Sequence, residues 1–361
     1  MKLLILGDVC ATEATAPYFE KEDLSTLFTD TLDLFKKADY TFVNLECAIT
    51  DSEHRIEKFG PNLKSPIATA KVLKTAGVDL VGLCNNHIFD FGIEGYEDTV
   101  KALSEQGLAY TGFGKNYQDS RKNHIFEKDG KKVCIITVCE HEYSYALPDR
   151  MGARPYDCYD TIADVRKAKA DCDRVVVIYH GGKEHCHYPS PRMVKLCRAL
   201  VDNGADVVVA QHTHCICCYE NYEGSHILYG QGNFHFVKDY PNEPSWAYEL
   251  ALIYDADANT VEFIPTNQTE TGIELTKGET YTKITQQFKE LCDAMQDGTW
   301  YDGWKAYCDG RKEVYNNMLA SAFGPDATEI RYKRLAHLLD CEAHHDVLVE
   351  IHKTANHTNE R

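Results

Sequence analysis

Val207-Val208-Val209-Ala210-Gln211-His212-Thr213-His214 is a β-branched run that passes directly into two histidines set two residues apart. On an extended chain successive side chains alternate between faces, so residues i and i+2 leaving a strand can aim at one cleft. Two neutral imidazoles placed in that way are the commonest nitrogen donors for a divalent transition metal. A single close pair is weak evidence in a chain with 16 histidines. It gains weight from the residues standing at the ends of the other strands.

Outward from this run, short apolar stretches bounded mostly by Gly, Asp or Asn recur at 3–6, 40–43, 78–83, 133–138, 175–179 and 227–228. Helical spacing of Leu, Val and Ala fills 66–76, 96–106 and 191–203, with Gly77, Gly107 and Gly204 as C-terminal stops. Strands alternating with helices predict an α/β core. Beyond about 265 the texture changes. Residues 281–352 become amphipathic and rich in Lys, Glu and Leu, with Gly324-Pro325-Asp326 as a break. The expected division is a core domain over 1–265 and a helical C-terminal region over 266–361.

The strand ends form a series. The first ends at Asp8, the second at Asn44-Leu45-Glu46, the third at Asn85-Asn86-His87, a later one at His180-Gly181-Gly182, and the next at the His212/His214 pair. In α/β sheets the loops at the carboxyl ends of strands converge on a common crevice, which is where ligands gather. Each residue alone has a simpler reading as a helix cap, a turn former or a satisfied core histidine. Five such residues at equivalent positions favour a shared metal site.

The chain has 361 residues, enough for a large multilayer core plus an appendage. Its 38 Lys+Arg against 56 Asp+Glu give a formal charge of −18, which argues against a broad nucleic-acid or anionic-membrane footprint. The 15 cysteines are scattered and lack paired CxxC spacing, so they read as reduced thiols packed as small apolar residues, in a cytoplasmic protein. Met1-Lys2-Leu3-Leu4-Ile5-Leu6-Gly7-Asp8 reads as a first core strand, its apolar run shorter than the core of an export signal. No stretch approaches the ~20 apolar residues of a spanning helix.

With Gly7-Asp8, Asn44-Leu45-Glu46, Asn85-Asn86-His87 followed by Asp90 and Gly92, His180-x-Gly182, Gly204-Ala205-Asp206, His212-x-His214 and Tyr229-x-x-Gly232-Asn233-Phe234, the chain resembles the poly-γ-glutamate capsule-synthesis (CapA-type) family. That family lies within the calcineurin-like metallophosphoesterases. The resemblance covers about residues 1–265, and connecting words such as Lys74-Thr75-Ala76-Gly77-Val78-Asp79 and Tyr110-Thr111-Gly112-Phe113-Gly114 match as well.

The resemblance implies a four-layer α/β/β/α sandwich with two divalent ions, Mn, Fe or Zn, at the strand ends. By motif position Asp8 and His214 would hold the first ion, Asn86, His180 and His212 the second, and Glu46 would bridge them. His87 would protonate or stabilise the leaving oxygen while a metal-bound hydroxide attacks a phosphoester or a related acyl or amide linkage. Mixed oxygen and imidazole donors suit those metals on general grounds too.

The chain departs from the pattern of the broader superfamily in two places and from that of CapA-type chains in a third. Cys10 stands where a histidine usually follows the first aspartate, Glu46 replaces the usual bridging aspartate, and no arginine follows the first strand. Cys10 reads as a packing residue with a thiolate ligand as the alternative. Asn44, Lys64 and Glu184 are candidates for touching substrate or supporting the ligands. His187, His235, His344 and His345 read as surface or packing residues. The expected substrate is a small anionic or poly-γ-glutamate-like molecule. The alternative is a non-catalytic poly-γ-glutamate-binding or capsule-synthesis accessory protein.

Overall fold

The computed structural model describes residues 1–140, 143–238, 243–323 and 328–353. The expected break at Gly324-Pro325-Asp326 lies outside the described residues.

Two sheets carry the fold. The first runs in the order Ile273–Leu275, Thr260–Gln268, Tyr248–Asp255, Lys2–Val9, Tyr40–Leu45, Leu80–Gly82, Ala109–Thr111. Asn233–His235 adds a short parallel pairing at Asp8 and Val9. The second runs Tyr219–Tyr222, Ser225–Leu228, Val207–Gln211, Arg174–His180, Lys131–Cys139, His124–Lys128, parallel through its four central strands.

Strand alternation sorts the core into layers. Leu3 and Ile5 of the first sheet meet Val176, Ile178, Val207 and Val209 of the second in one buried cluster between the sheets. Leu4 and Leu6 face the other way, onto helical residues such as Leu73 and Leu103. Val175, Val177, Val208 and Ala210 likewise face Val194, Cys197 and Leu200 on the far side of the second sheet. Three apolar layers between four layers of structure make an α/β/β/α sandwich. Parallel strands buried on both faces explain why 175–179 and 207–210 read as unbroken apolar runs.

The helices obey their local signals. In Pro191–Asp202, Ser190 accepts from the Met193 N–H, Pro191 opens the first turn, and Gly204 follows the end at φ 114°. Thr69–Ala76 stops at Gly77, in the left-handed region at φ 113°. Next to the first strand end, a Cβ on Gly7 would lie 2.3 Å from the Gly232 carbonyl oxygen, so only glycine lets the two backbones cross there.

The first sheet continues past the expected boundary at 265. Thr266, Asn267 and Gln268 pair with Ile273–Leu275 to extend its edge, and their polar side chains hid the strand from a hydrophobicity reading. Helices then run over Gly278–Asp297, Trp300–Phe323, Glu329–Asp340 and Glu342–Ile351. The first of these lays Ile284 into the layer between the sheets and Leu291 and Met295 onto the far side of the second sheet. The other three build a small core around Trp304, Cys308, Tyr315, Leu338 and Val347, into which Cys186 of the sandwich also packs.

A charged latch ties that small core to the sandwich. Arg192 binds Asp346 of the last helix at 3.0 Å and the fully buried Glu140 at 2.7 Å, while Glu140 also accepts from the Gly182 N–H and the Tyr179 hydroxyl. Removing one partner of a buried pair strands the other charge. Arg192→Ala is therefore expected to cost roughly 3 kcal/mol of stability. The loss should fall first on Glu329–Ile351, read as faster amide exchange there than in Val207–Gln211.

Candidate metal centre

The six expected ligands come from both sheets and meet at one end of the sandwich. Asp8, Glu46 and Asn86 leave the first sheet, and His180, His212 and His214 leave the second. Their donor atoms fall into overlapping clusters, Asp8, Glu46 and His214, and Glu46, His180 and His212, and a third joins His212 and His214 to Glu184. Glu46 Oε1 lies 3.4 Å from His180 Nε2 and 3.8 Å from both His212 Nδ1 and His214 Nε2. His214 Nδ1 lies 3.8 Å from Asp8 Oδ2, and Asn86 Oδ1 lies 2.9 Å from His180 Nε2.

The loop carrying the His pair is bent to fit. His212 and His214 stand at φ 85° and 53°, a left-handed conformation that costs a non-glycine residue about 1–3 kcal/mol. The His212 N–H donates to Asp8 Oδ2 at 3.1 Å, and the Thr213 carbonyl accepts from the His185 N–H at 2.9 Å, which holds the bend. Asn44 donates to Asp8 Oδ1 at 2.7 Å and stands 3.2 Å from His180 Nδ1. It thus orients one ligand from each sheet, and Asn85 in turn donates to the Asn44 side-chain oxygen at 3.1 Å. Asn233 Oδ1 does the same for His214 Nδ1 at 2.8 Å.

The electrostatics are those of a site built around positive charge. Both Glu46 oxygens are buried with no hydrogen-bond partner among the described residues. Burial, then the charges of Asp8 and Glu184, pushes the Glu46 carboxyl well above its ordinary range. Burial raises the Asp8 carboxyl to about 6 against the pull of Asn44 and the His212 N–H. Burial also lowers His214 to about 4, leaving its imidazole neutral and able to donate a lone pair. Carboxylate, amide oxygen and neutral imidazole around an unsatisfied buried carboxylate suit one or two borderline divalent cations, so the residues present fit the implied ions.

His87 sits beside this cluster. Its Nδ1 is 2.7 Å from Asp90 Oδ2 and 3.2 Å from the ammonium of Lys58, which itself pairs with Asp90. Burial and then the Lys58 charge lower the His87 pKa, and Asp90 opposes them. Nδ1 is thus engaged on the side of Asp90 and Lys58. The Lys58 side chain is 2% exposed, an unusual burial for a lysine. Its loop position gave no signal for this, although Asp90 stood in the motif.

The remaining candidates fall in different places. Glu184 lines the same cavity, with Oε1 3.9 Å from His212 Nε2. Burial opposes its ionisation, but Lys183 and the nearby imidazoles outweigh that and hold its carboxyl well below the ordinary range. Lys64 faces a neighbouring cavity, its ammonium bound to the Ser52 carbonyl at 2.9 Å and to Glu53 at 2.6 Å. Cys10 belongs to none of the donor clusters. Contact with Cys47 and burial keep it a neutral thiol. Cys215, Cys217 and Cys218 are packed in the outer core of the second sheet. His235 is buried against Phe19 and Phe28, and His187 bonds the Ile216 carbonyl. His344, read from sequence as a surface or packing residue, lines the metal cavity.

The chain is thus an α/β/β/α sandwich that gathers carboxylate, amide and imidazole donors where its two sheets meet. The chain belongs to the family described as bacterial capsule synthesis protein PGA_cap, which matches residues 2–238. It is 27% identical over 277 residues to the capsule biosynthesis protein CapA of Bacillus anthracis, covering 74% of this chain and 67% of that one. It is 28% identical over 235 residues to the PGA biosynthesis protein CapA of Bacillus subtilis (strain 168), covering 64% and 62%. The chain thus spans about two thirds or less of the length of these relatives. Among solved structures, it is similar to a hypothetical protein from Thermus thermophilus, with TM-score 0.46 and 16% identity over 74% of this chain and 100% of that one. A second is a putative 5′-nucleotidase from Staphylococcus aureus in complex with α-ketoglutarate, with TM-score 0.45 and 12% identity over 80% and 58%. No helix among the described residues is long and apolar enough to cross a membrane.

Proposed function

We propose that this chain is a metal-dependent hydrolase of CapA type, acting on a phosphoester or a related acyl or amide linkage of an anionic substrate. The observation that carries the reading is the position of Glu46, shared by two donor clusters. Asp8 and His214 would hold one divalent ion, Asn86, His180 and His212 a second, and Glu46 would lie between them. Mn, Fe or Zn bound there would acidify a water and neutralise charge on the reacting group.

The chain's own residues supply the rest. Asn44 and Asn233 fix the orientation of the ligands, and the strained His212–His214 loop holds two imidazoles on one side. His87, steadied at Nδ1 by Asp90 and Lys58, offers Nε2 to the leaving oxygen. A second reading, a binding or accessory component of polymer synthesis, is favoured by one relative. A Mycobacterium tuberculosis protein 28% identical over 233 residues is named a probable polyglutamine synthesis accessory protein.

Metal-free protein reconstituted with Mn, Fe or Zn separates the two on a panel of aryl phosphomonoesters, phosphodiesters and γ-glutamyl amides. Turnover is expected to require metal and to fall about 10²–10⁴-fold in His87→Ala with metal content unchanged. Two bound ions and no turnover on any member of the panel would favour the accessory reading.

A further inference from the structure

Two of the three donor clusters meet at Glu46. The third brings in Glu184, with a carboxylate oxygen within 4.8 Å of a ring nitrogen of both His212 and His214. Glu184 is the member that opens onto the cavity: its side chain is 39% exposed, against 6% or less for Asp8, Glu46, His180, His212 and His214. Its two oxygens are divided. Oε2 faces the Lys183 ammonium at 3.6 Å, and Oε1 faces His212 Nε2 at 3.9 Å, too far for a hydrogen bond.

The segment that carries Glu184 is fixed from two sides. Gly182 at φ 98° and His185 at φ 59° turn the chain before and after it, and the His185 N–H donates to the Thr213 carbonyl between the two histidines. From the other side the Tyr307 hydroxyl, on the helix Trp300–Phe323, donates to the Glu184 carbonyl at 3.1 Å. The backbone is thus held while the carboxylate arm stands over the cluster. Two donors on one ion at about 2.1 Å each stand no more than about 4.2 Å apart, so a small swing of this arm closes the gap to His214.

Donor type separates the two proposed ions. Asp8, Glu46 and His214 offer two carboxylates and one imidazole, whereas Glu46, Asn86, His180 and His212 offer one carboxylate, an amide and two imidazoles. His212 turns Nδ1 to Glu46 at 3.8 Å and Nε2 to Glu184, opposite edges of one ring, so a single ion cannot use both. His214 belongs to the Asp8 cluster and to the Glu184 cluster alike. We propose that Glu184 is a third carboxylate ligand of the ion held by Asp8 and His214, making that position oxygen-rich and selective for Mn, while the imidazole-rich position beside it takes Zn or Fe. Carboxylate oxygens suit Mn, and imidazoles suit Zn and Fe. The inference rests on the two-ion reading of the cluster and not on the reaction the ions support.

Titration of the metal-free full chain with Mn, followed by the electron paramagnetic resonance of the free ion, tests this without reference to turnover. The parent is expected to hold two Mn. Glu184→Gln keeps the size and loses the charge, and should weaken one of the two by at least what loss of an outer partner costs, about tenfold or more. Glu184→Asp should fall between, and both metal-free variants should melt with the parent because the side chain is more than a third exposed. Anomalous diffraction from Mn-loaded crystals of the parent should place Glu184 Oε1 in bonding contact with the ion on Asp8 and His214. Two Mn held at parental affinity in Glu184→Gln would overturn the proposal. So would loss of the ion on Asn86 and His180 in its place, which would make Glu184 a brace for His212. Either result leaves the hydrolase reading standing, whereas Glu184-dependent Mn binding without turnover on the substrate panel would uphold the ligand and sink that reading.

Discussion

If the cluster holds two ions as proposed, Glu46→Gln is expected to remove at least one of them and to suppress metal-dependent turnover. Glu46 belongs to two of the three donor clusters, with one oxygen within 3.8 Å of three imidazoles. A neutral amide keeps the size and loses the charge that would hold two cations together. Lewis-acid stabilisation worth several kcal/mol is at stake, so turnover should fall by at least about a thousandfold. The metal-free variant should melt no lower than the parent, because the carboxylate it replaces is buried without a hydrogen-bond partner among the described residues. Elemental analysis showing two ions held at parental affinity would contradict the assignment of Glu46.

Glu249→Gln is expected to change how stability depends on pH. Glu249 is fully buried behind the first strand, accepting from the Gly7 N–H at 2.6 Å and from the Thr266 hydroxyl at 3.0 Å. Burial pushes its carboxyl from 4.5 up to about 8. Below pH 4.5 both folded and unfolded chains carry the proton and the group is neutral to stability. Between pH 4.5 and 8 the unfolded chain ionises while the folded one does not, so stability is lost as pH rises through this window. The full effect is roughly 4–5 kcal/mol. An amide can satisfy both partners without a proton, so the variant should gain on the parent steadily up to about pH 8 and then level off. Urea midpoints of the two proteins at pH 4.5 and at pH 8 give the difference, and a gap independent of pH would show that Glu249 ionises freely in the folded protein.

The site was legible in the sequence because its residues end β-branched runs, and parallel strands bring such ends together. Val207–Gln211 pairs with Arg174–His180, which sets His180 opposite Gln211 and one residue from His212. The Asn44 link between Asp8 and His180 was open at the level of residue type, and its geometry came only with the fold. What the sequence withheld depends on docking. The amphipathic pattern of 281–352 announces helices but carries no signal of which surface they cover, so His337 and His344 gave no hint of lining the cavity. Lys58 sits in a polar loop and becomes buried only because Asp90, 32 residues away, receives it. The hairpin of Tyr248–Asp255 and Thr260–Gln268 escaped for a related reason: the buried polar side chain of Glu249 interrupts the apolar pattern that marks a core strand.

Because half of the ligands leave one sheet and half the other, the cluster does not exist until the two sheets have met. Cations held there would act as a rivet across the sandwich. A rivet set after the rate-limiting assembly would leave the speed of folding alone and slow the reverse reaction. The persistence of the folded protein would then be governed by how quickly its ions leave, and a chelator would shorten its lifetime before it measurably altered its shape.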